Sequence, residues 1–153
     1  NPVVFGITFA MGAAGYMLGT FIAARIVMRL GIDRTMGIGC VTLAAGGLFM
    51  VAVVALHLAN VIWFVGSMMI YLAGLGLALP AAMAGALTPF HDRAGTASSL
   101  MGFTQQSGAA IAAGAIGLYL GQSAWPVAGT VAIMGCIALA IWMTTRKVRA
   151  VDH

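Results

Sequence analysis

Two adjacent primary amides, Gln105 and Gln106, stand in the middle of the apolar stretch TASSLMGFTQQSGAAIAAG. Just before it comes a short polar knot, His91, Asp92 and Arg93, in TPFHDRAG. These are the residues whose types invite a chemical reading. A neighbouring His and Asp can share a proton, but no nucleophile or second base accompanies this pair, so it reads as a solvated cap. His57 stands alone at another helix end. Cys40 and Cys136 are isolated inside apolar runs, which suits buried small hydrophobes better than a disulfide or a metal site. The chain has no HExxH, no phosphate-binding loop, no zinc spacing and no nucleophile elbow. No enzyme activity, no cofactor and no metal site are therefore expected. The glutamines pose a different question, because an unpaired amide in lipid costs several kcal/mol. Two of them need partners or a wet cavity, and both readings stay open.

The composition decides the solvent. Of 153 residues, 62% are hydrophobic and 7% are charged, against about 25% charged in a soluble domain. Such a chain belongs in a lipid bilayer. Its pI near 9.7 would suggest nucleic acid in a soluble protein. Here the cations lie singly or in small groups between apolar runs, with no basic face and no interleaved aromatics, so nucleic acid is not expected as a partner. The chain begins at Asn1 without a basic leader. It is read as a piece of something longer, with no signal peptide.

Five runs reach the roughly 20 apolar residues that a membrane helix needs. They cover about residues 3–27, 36–58, 61–87, 96–120 and 125–145. The expected fold is an all-α polytopic membrane protein of five transmembrane helices, with residues 1–153 as one bundle and no soluble domain. Arg25, Arg29 and Arg34 flank the first link, Arg93 lies in the third, and Arg146, Lys147 and Arg149 follow the last span. With five spans, all seven cations fall on one side, which the positive-inside rule makes cytoplasmic. The N-terminus is then outside. Trp63, Trp125 and Trp142 fall near span ends, as interfacial anchors do.

The elements that must position the glutamines are rich in small residues, 21 of them glycine. At 100° per residue, Thr8, Gly12, Tyr16, Gly19 and Ala23 share one face of the first span. Ser98, Gly102, Ala109, Ala113 and Gly117 share a face of the fourth, with Gln105 and Gln106 on its flanks. Leu100, Ile111 and Leu118 lie opposite and face lipid. Small faces let helices approach closely in lipid. Gly15 with Gly19, and Gly117 with Gly121, make GxxxG pairs. Pro80 interrupts the third span and predicts a kink, either a static bend or a gate. Tyr71 faces the interior if Ser67 does, and Thr96, Ser98 or Ser99 is placed to cap the fourth span.

Two stretches carry a resemblance. GTFIAARIVMRLGIDR, residues 19–34, resembles the cytoplasmic loop signature of the major facilitator superfamily, with Arg25, Arg29, Gly31 and Arg34 matching and Ala23 in place of the usual acidic or amide residue. GLGLALPAAMAGALTPFHDRAGTASSLMGFTQQ, residues 74–106, is similar to the Bcr/CflA branch of multidrug efflux transporters. The resemblance implies helices eight to twelve of twelve, most of a C-terminal six-helix bundle, with the N-terminal half of the same transporter as partner. It implies proton-coupled efflux of small lipophilic drugs or metabolites across a bacterial inner membrane, the N-terminus of this segment being periplasmic. It also implies that Tyr16, Tyr71, Gln105 and Gln106 lie near a small-molecule substrate, and that the proton carrier is in the other half. No Asp, Glu, Lys or Arg lies deep in any of these spans. A largely uncharged lining of Tyr, Gln and some of the eleven methionines suits a neutral or lipophilic cargo. A sugar or metabolite exporter of the same superfamily, a non-transporting scaffold and an intramembrane enzyme are the alternatives.

Overall fold

The structure is a computed structural model that describes residues 2–57, 60–117 and 125–149, leaving out the side chains of residues 2–5, 91, 92, 115, 116 and 146–149. It is all-α. Four α-helices follow one another: α1 (Pro2–Ala55), α2 (Val61–Leu87), α3 (Ala94–Gly117) and α4 (Trp125–Arg149). A 3-10 segment, Thr88–Arg93, joins α2 directly to α3. Three of the four helices, not five, are long and apolar enough to cross a bilayer: α1, α2 and α4.

Two physical reasons separate this count from the five expected. The first and second runs follow one another in a single helical stretch, Pro2–Ala55, interrupted at Gly31 alone, so no loop separates them. The fourth run, α3, is diluted by Thr96, Ser98, Ser99, Thr104, Gln105, Gln106 and Ser107 and falls short in apolarity. A straight helix of α1's length would extend about 80 Å, well over twice a hydrocarbon core. It is not straight. Gly31 has φ 79° and ψ 171°, a backbone conformation essentially confined to glycine. Thr35, fully buried, donates its hydroxyl to the Gly31 carbonyl at 2.8 Å and closes the turn.

Glycine contacts show that α1 folds back there into two arms, residues 2–30 and 32–55. In the first arm, a Cβ on Gly15 would lie 2.7 Å from the Met69 carbonyl, and Gly19 abuts Ala73. Both positions rise together, so this arm runs parallel to α2. In the second arm, Gly39 meets Ala78 and Gly46 meets Tyr71, so this arm runs antiparallel to α2. The second arm is also antiparallel to α4, since Gly37 lies under the Trp142 ring and Gly47 meets Ala132. It is the centre of the fold. Cys40 and Leu43 pack with Ala78 of α2, and Met50 and Val54 pack with Ala128 of α4. In lipid such packing stands in for the hydrophobic drive that is absent between helices.

The outer surface is apolar. Phe9, Met17, Phe21 and Met28 of the first arm, Leu100, Phe103 and Ile111 of α3, and Ile133, Ile137 and Ile141 of α4 are exposed. A soluble protein does not present so much contiguous apolar surface. The chain is a membrane protein by this measure.

Helix directions also gather the cations. The turn at Gly31, the end of α2 and the end of α4 lie at the same end of the bundle. The positions of Arg25, Arg29, Arg34, Arg93, Arg146, Lys147 and Arg149 therefore cluster there.

Candidate functional site

α2 has two working faces, set by helical periodicity. Met69, Leu72, Ala73 and Gly76 meet the first arm, while Tyr71, Gly74 and Ala78 meet the second. Gly76 lies against the backbone of Tyr16 and Thr20, and a Cβ on Gly74 would come within 2.5 Å of the Leu43 amide nitrogen. No side chain larger than hydrogen fits at these crossings. The sequence gives α2 a glycine on each face, and so a close neighbour on each side.

Tyr16 is half-buried beside that first crossing, and its carbonyl accepts the Thr20 hydroxyl at 3.2 Å. Tyr71 is half-buried on the other face of α2, packed against the cluster of Cys40, Leu43 and Ala78. Ser67 is fully buried and donates to the Phe64 carbonyl at 2.8 Å, so the condition for an inward Tyr71 is met. Within the chain the two tyrosines sit on opposite sides of α2.

Gln105 and Gln106 occupy the middle of α3. Both are exposed, and neither makes a hydrogen bond among the described residues. α3 rests on the 3-10 segment and the edge of α2, with no extensive interface to α1 or α4. Around Gly95, Gly102, Gly108, Gly114 and Gly117 a Cβ would meet open space. The contrast with Gly74 and Gly76 of α2 is sharp: those are tightly filled, and the glycines of α3 are vacant. The structure thus keeps the glutamines apart from both tyrosines. Among the described residues they do not act as interhelical glue.

Other expected features divide in the same way. Ser98 and Ser99 lie within α3 and bond back to the Gly95 and Thr96 carbonyls at 3.0 and 2.9 Å, so they do not cap its start. α3 follows directly on the 3-10 segment, and the break in helical geometry lies at Phe90, ahead of these serines. α2 remains helical through Pro80, which is exposed, and on to Leu87. Cys40 is buried but Cys136 is exposed on α4, against the expectation for both. His57 closes α1 with φ 52° in the left-handed region often found at helix ends. Leu118 and Gly121 lie outside the described residues, as do the side chains of His91 and Asp92. Among the described residues no group of three His, Cys, Asp or Glu could hold a metal ion.

Periodicity alone missed the second arm's contacts. Gly39 and Gly46 are seven residues apart and so share a face, the signal that would have found its packing on α2. Comparison with protein families, curated proteins and solved structures finds no match to this chain.

Proposed function

We propose that the chain is part of a major facilitator transporter that exports small lipophilic drugs or metabolites in exchange for protons, across a bacterial inner membrane. The observation that carries the reading is the pair Gln105 and Gln106, exposed at the middle of α3 and without hydrogen bonds among the described residues. At mid-bilayer depth two such amides are tolerable only against other protein or a water-filled cavity. A cavity at the midplane between two helical halves is where transporters bind cargo. The vacant small-residue face beside the amides leaves room for it.

In this reading the two arms of α1 cross separately and α3 crosses under cover of protein, giving five crossings. The end where the cations gather faces the cytoplasm. The resemblance of residues 19–34 and 74–106 supplies the substrate class and the proton coupling. Gln105 and Gln106 then line the cavity together with residues of an N-terminal half, while Tyr16 stays apart from them beside the Gly76 crossing. Arg25, Arg29, Gly31 and Arg34 form the cytoplasmic turn, and Pro80 lends α2 the compliance of a gate. The packing of Tyr71 between α2 and the second arm favours a second reading, a non-transporting scaffold, for that residue's side of the bundle.

Flux measurements separate the two. The product of the full reading frame, reconstituted in liposomes with an imposed pH gradient, is expected to move a fluorescent lipophilic cation such as ethidium. The present chain alone, lacking a second half to rock against, is expected to show no flux above empty vesicles. Flux from the chain alone would refute the two-half reading. Silence from the full product would refute transport and leave the scaffold.

A further inference from the structure

We propose that a notch beside the Gly31 turn binds the headgroup of an anionic phospholipid. A cavity of about 520 Å³ opens there, lined by Arg25, Ile26, Arg29 and Leu30 of the first arm. The two arginines are one helical turn apart, so their guanidinium groups rise from one face about 5–6 Å apart at the base. That spacing lets two guanidinium forks converge on one phosphate, a geometry arginine favours over lysine.

Neither guanidinium has an ion pair among the described residues. Arg25 instead lies over the Phe21 ring, 4.8 Å from its centroid, which holds it in place without neutralising it. The whole chain has three acidic residues, too few to satisfy its seven cations. Both side chains are exposed and open to an external anion.

The surroundings select a lipid over a soluble phosphate. Ile26 and Leu30 give the notch apolar walls. The same arm continues into bilayer depth with Phe21 and Ile22 exposed at 60% and 42%. A ligand that fills both regions carries an anion and acyl chains. The notch also sits at the helix end where the cations gather, which is headgroup level for a membrane-embedded chain. The site requires only that the chain lie in a bilayer and is independent of what, if anything, it transports.

The test is lipid retention by the purified chain, read by native mass spectrometry from mixed phosphatidylcholine and phosphatidylglycerol. The wild-type chain should retain phosphatidylglycerol selectively. Arg25→Ala with Arg29→Ala should weaken that binding about 100-fold, from the loss of a charge-assisted hydrogen bond at each arginine. Arg34→Ala removes an exposed charge from the same link but outside the notch, and should leave retention unchanged. Equal weakening by Arg34→Ala would overturn the proposal in favour of diffuse surface charge. An unchanged double variant would overturn it outright, and displacement of phosphatidylglycerol by inorganic phosphate alone would make this a soluble-anion site. If the alanine pair fails to fold, as circular dichroism would show, Arg25→Lys with Arg29→Lys decides. Weaker retention with charge preserved supports the paired forks, and equal retention overturns them.

Discussion

The indole nitrogen of Trp142 donates to the backbone carbonyl of Asp33 at 3.2 Å, joining residues 109 apart in the chain. The ring covers Gly37, so α4 is locked onto the start of the second arm by one hydrogen bond and one flat contact. A tryptophan near a helix end suggests interfacial anchoring, yet this one is half-buried within the protein. Trp142→Phe keeps most of the contact and loses the bond. It should lower stability by about 0.6–1.5 kcal/mol. Trp142→Ala leaves Gly37 uncovered and should cost about 3–5 kcal/mol. Unfolding in detergent by titrated dodecyl sulfate measures both. Equal effects would show that the ring contact contributes nothing.

Gly31→Ala should be destabilising through the backbone alone. A Cβ there meets no atom within 4 Å, so no clash arises. The φ of 79° with an extended ψ is nevertheless forbidden to alanine, at a cost of about 1–3 kcal/mol. Thr35→Val, which removes only the hydroxyl bonded to Gly31, should cost about 1 kcal/mol. The same unfolding titration reads them. A Gly31→Ala protein as stable as wild type would mean that the turn relaxes into another conformation.

The sequence made the lipid solvent and the α2 boundaries legible, because both follow from local composition. Of the expected face Thr8, Gly12, Tyr16, Gly19 and Ala23, it made the buried Gly12, Gly19 and Ala23 legible too, since helical periodicity needs no partner to be read. It did not reveal how abruptly the two runs meet. The short polar segment GIDRT looks like a loop of several residues, yet helical geometry is lost only at Gly31 and resumes at once. Nor could it separate the fate of the glycines in α2 from those in α3. Both helices carry small stripes, and what fills a stripe is a long-range fact. For the same reason Tyr16 and Tyr71 looked alike in sequence but face opposite sides of α2.

That difference in filling predicts a difference in tolerance. Gly74→Ala and Gly76→Ala force a methyl into neighbouring backbone and should destabilise the chain by about 1–3 kcal/mol. Gly102→Ala and Gly108→Ala meet open space. They should be neutral or stabilising by up to about 1 kcal/mol, because alanine is the better helix former. Thermal unfolding of the four variants in one detergent is the check. Loss of stability from Gly102→Ala in this chain would mean that α3 packs on the bundle after all.

Gln105 and Gln106 allow the sharpest separation of roles. Neither makes a hydrogen bond among the described residues, so Gln105→Ala and Gln106→Ala should leave the chain's unfolding midpoint unchanged within about 0.5 kcal/mol. In the product of the full reading frame, the same substitutions should change which lipophilic cations are exported while the amount of folded protein in the membrane stays near wild type. An amide that contacts cargo alters preference, because a bonded polar group discriminates among ligands far more than an apolar one does. An amide that ties this chain to another half alters abundance instead, since its loss leaves a buried partner unsatisfied. Measuring efflux of several dyes alongside membrane abundance distinguishes the two. A parallel fall in folded protein for both variants, with the order of dye preference preserved, would assign the glutamines to helix association and remove the main support for a cargo site on α3.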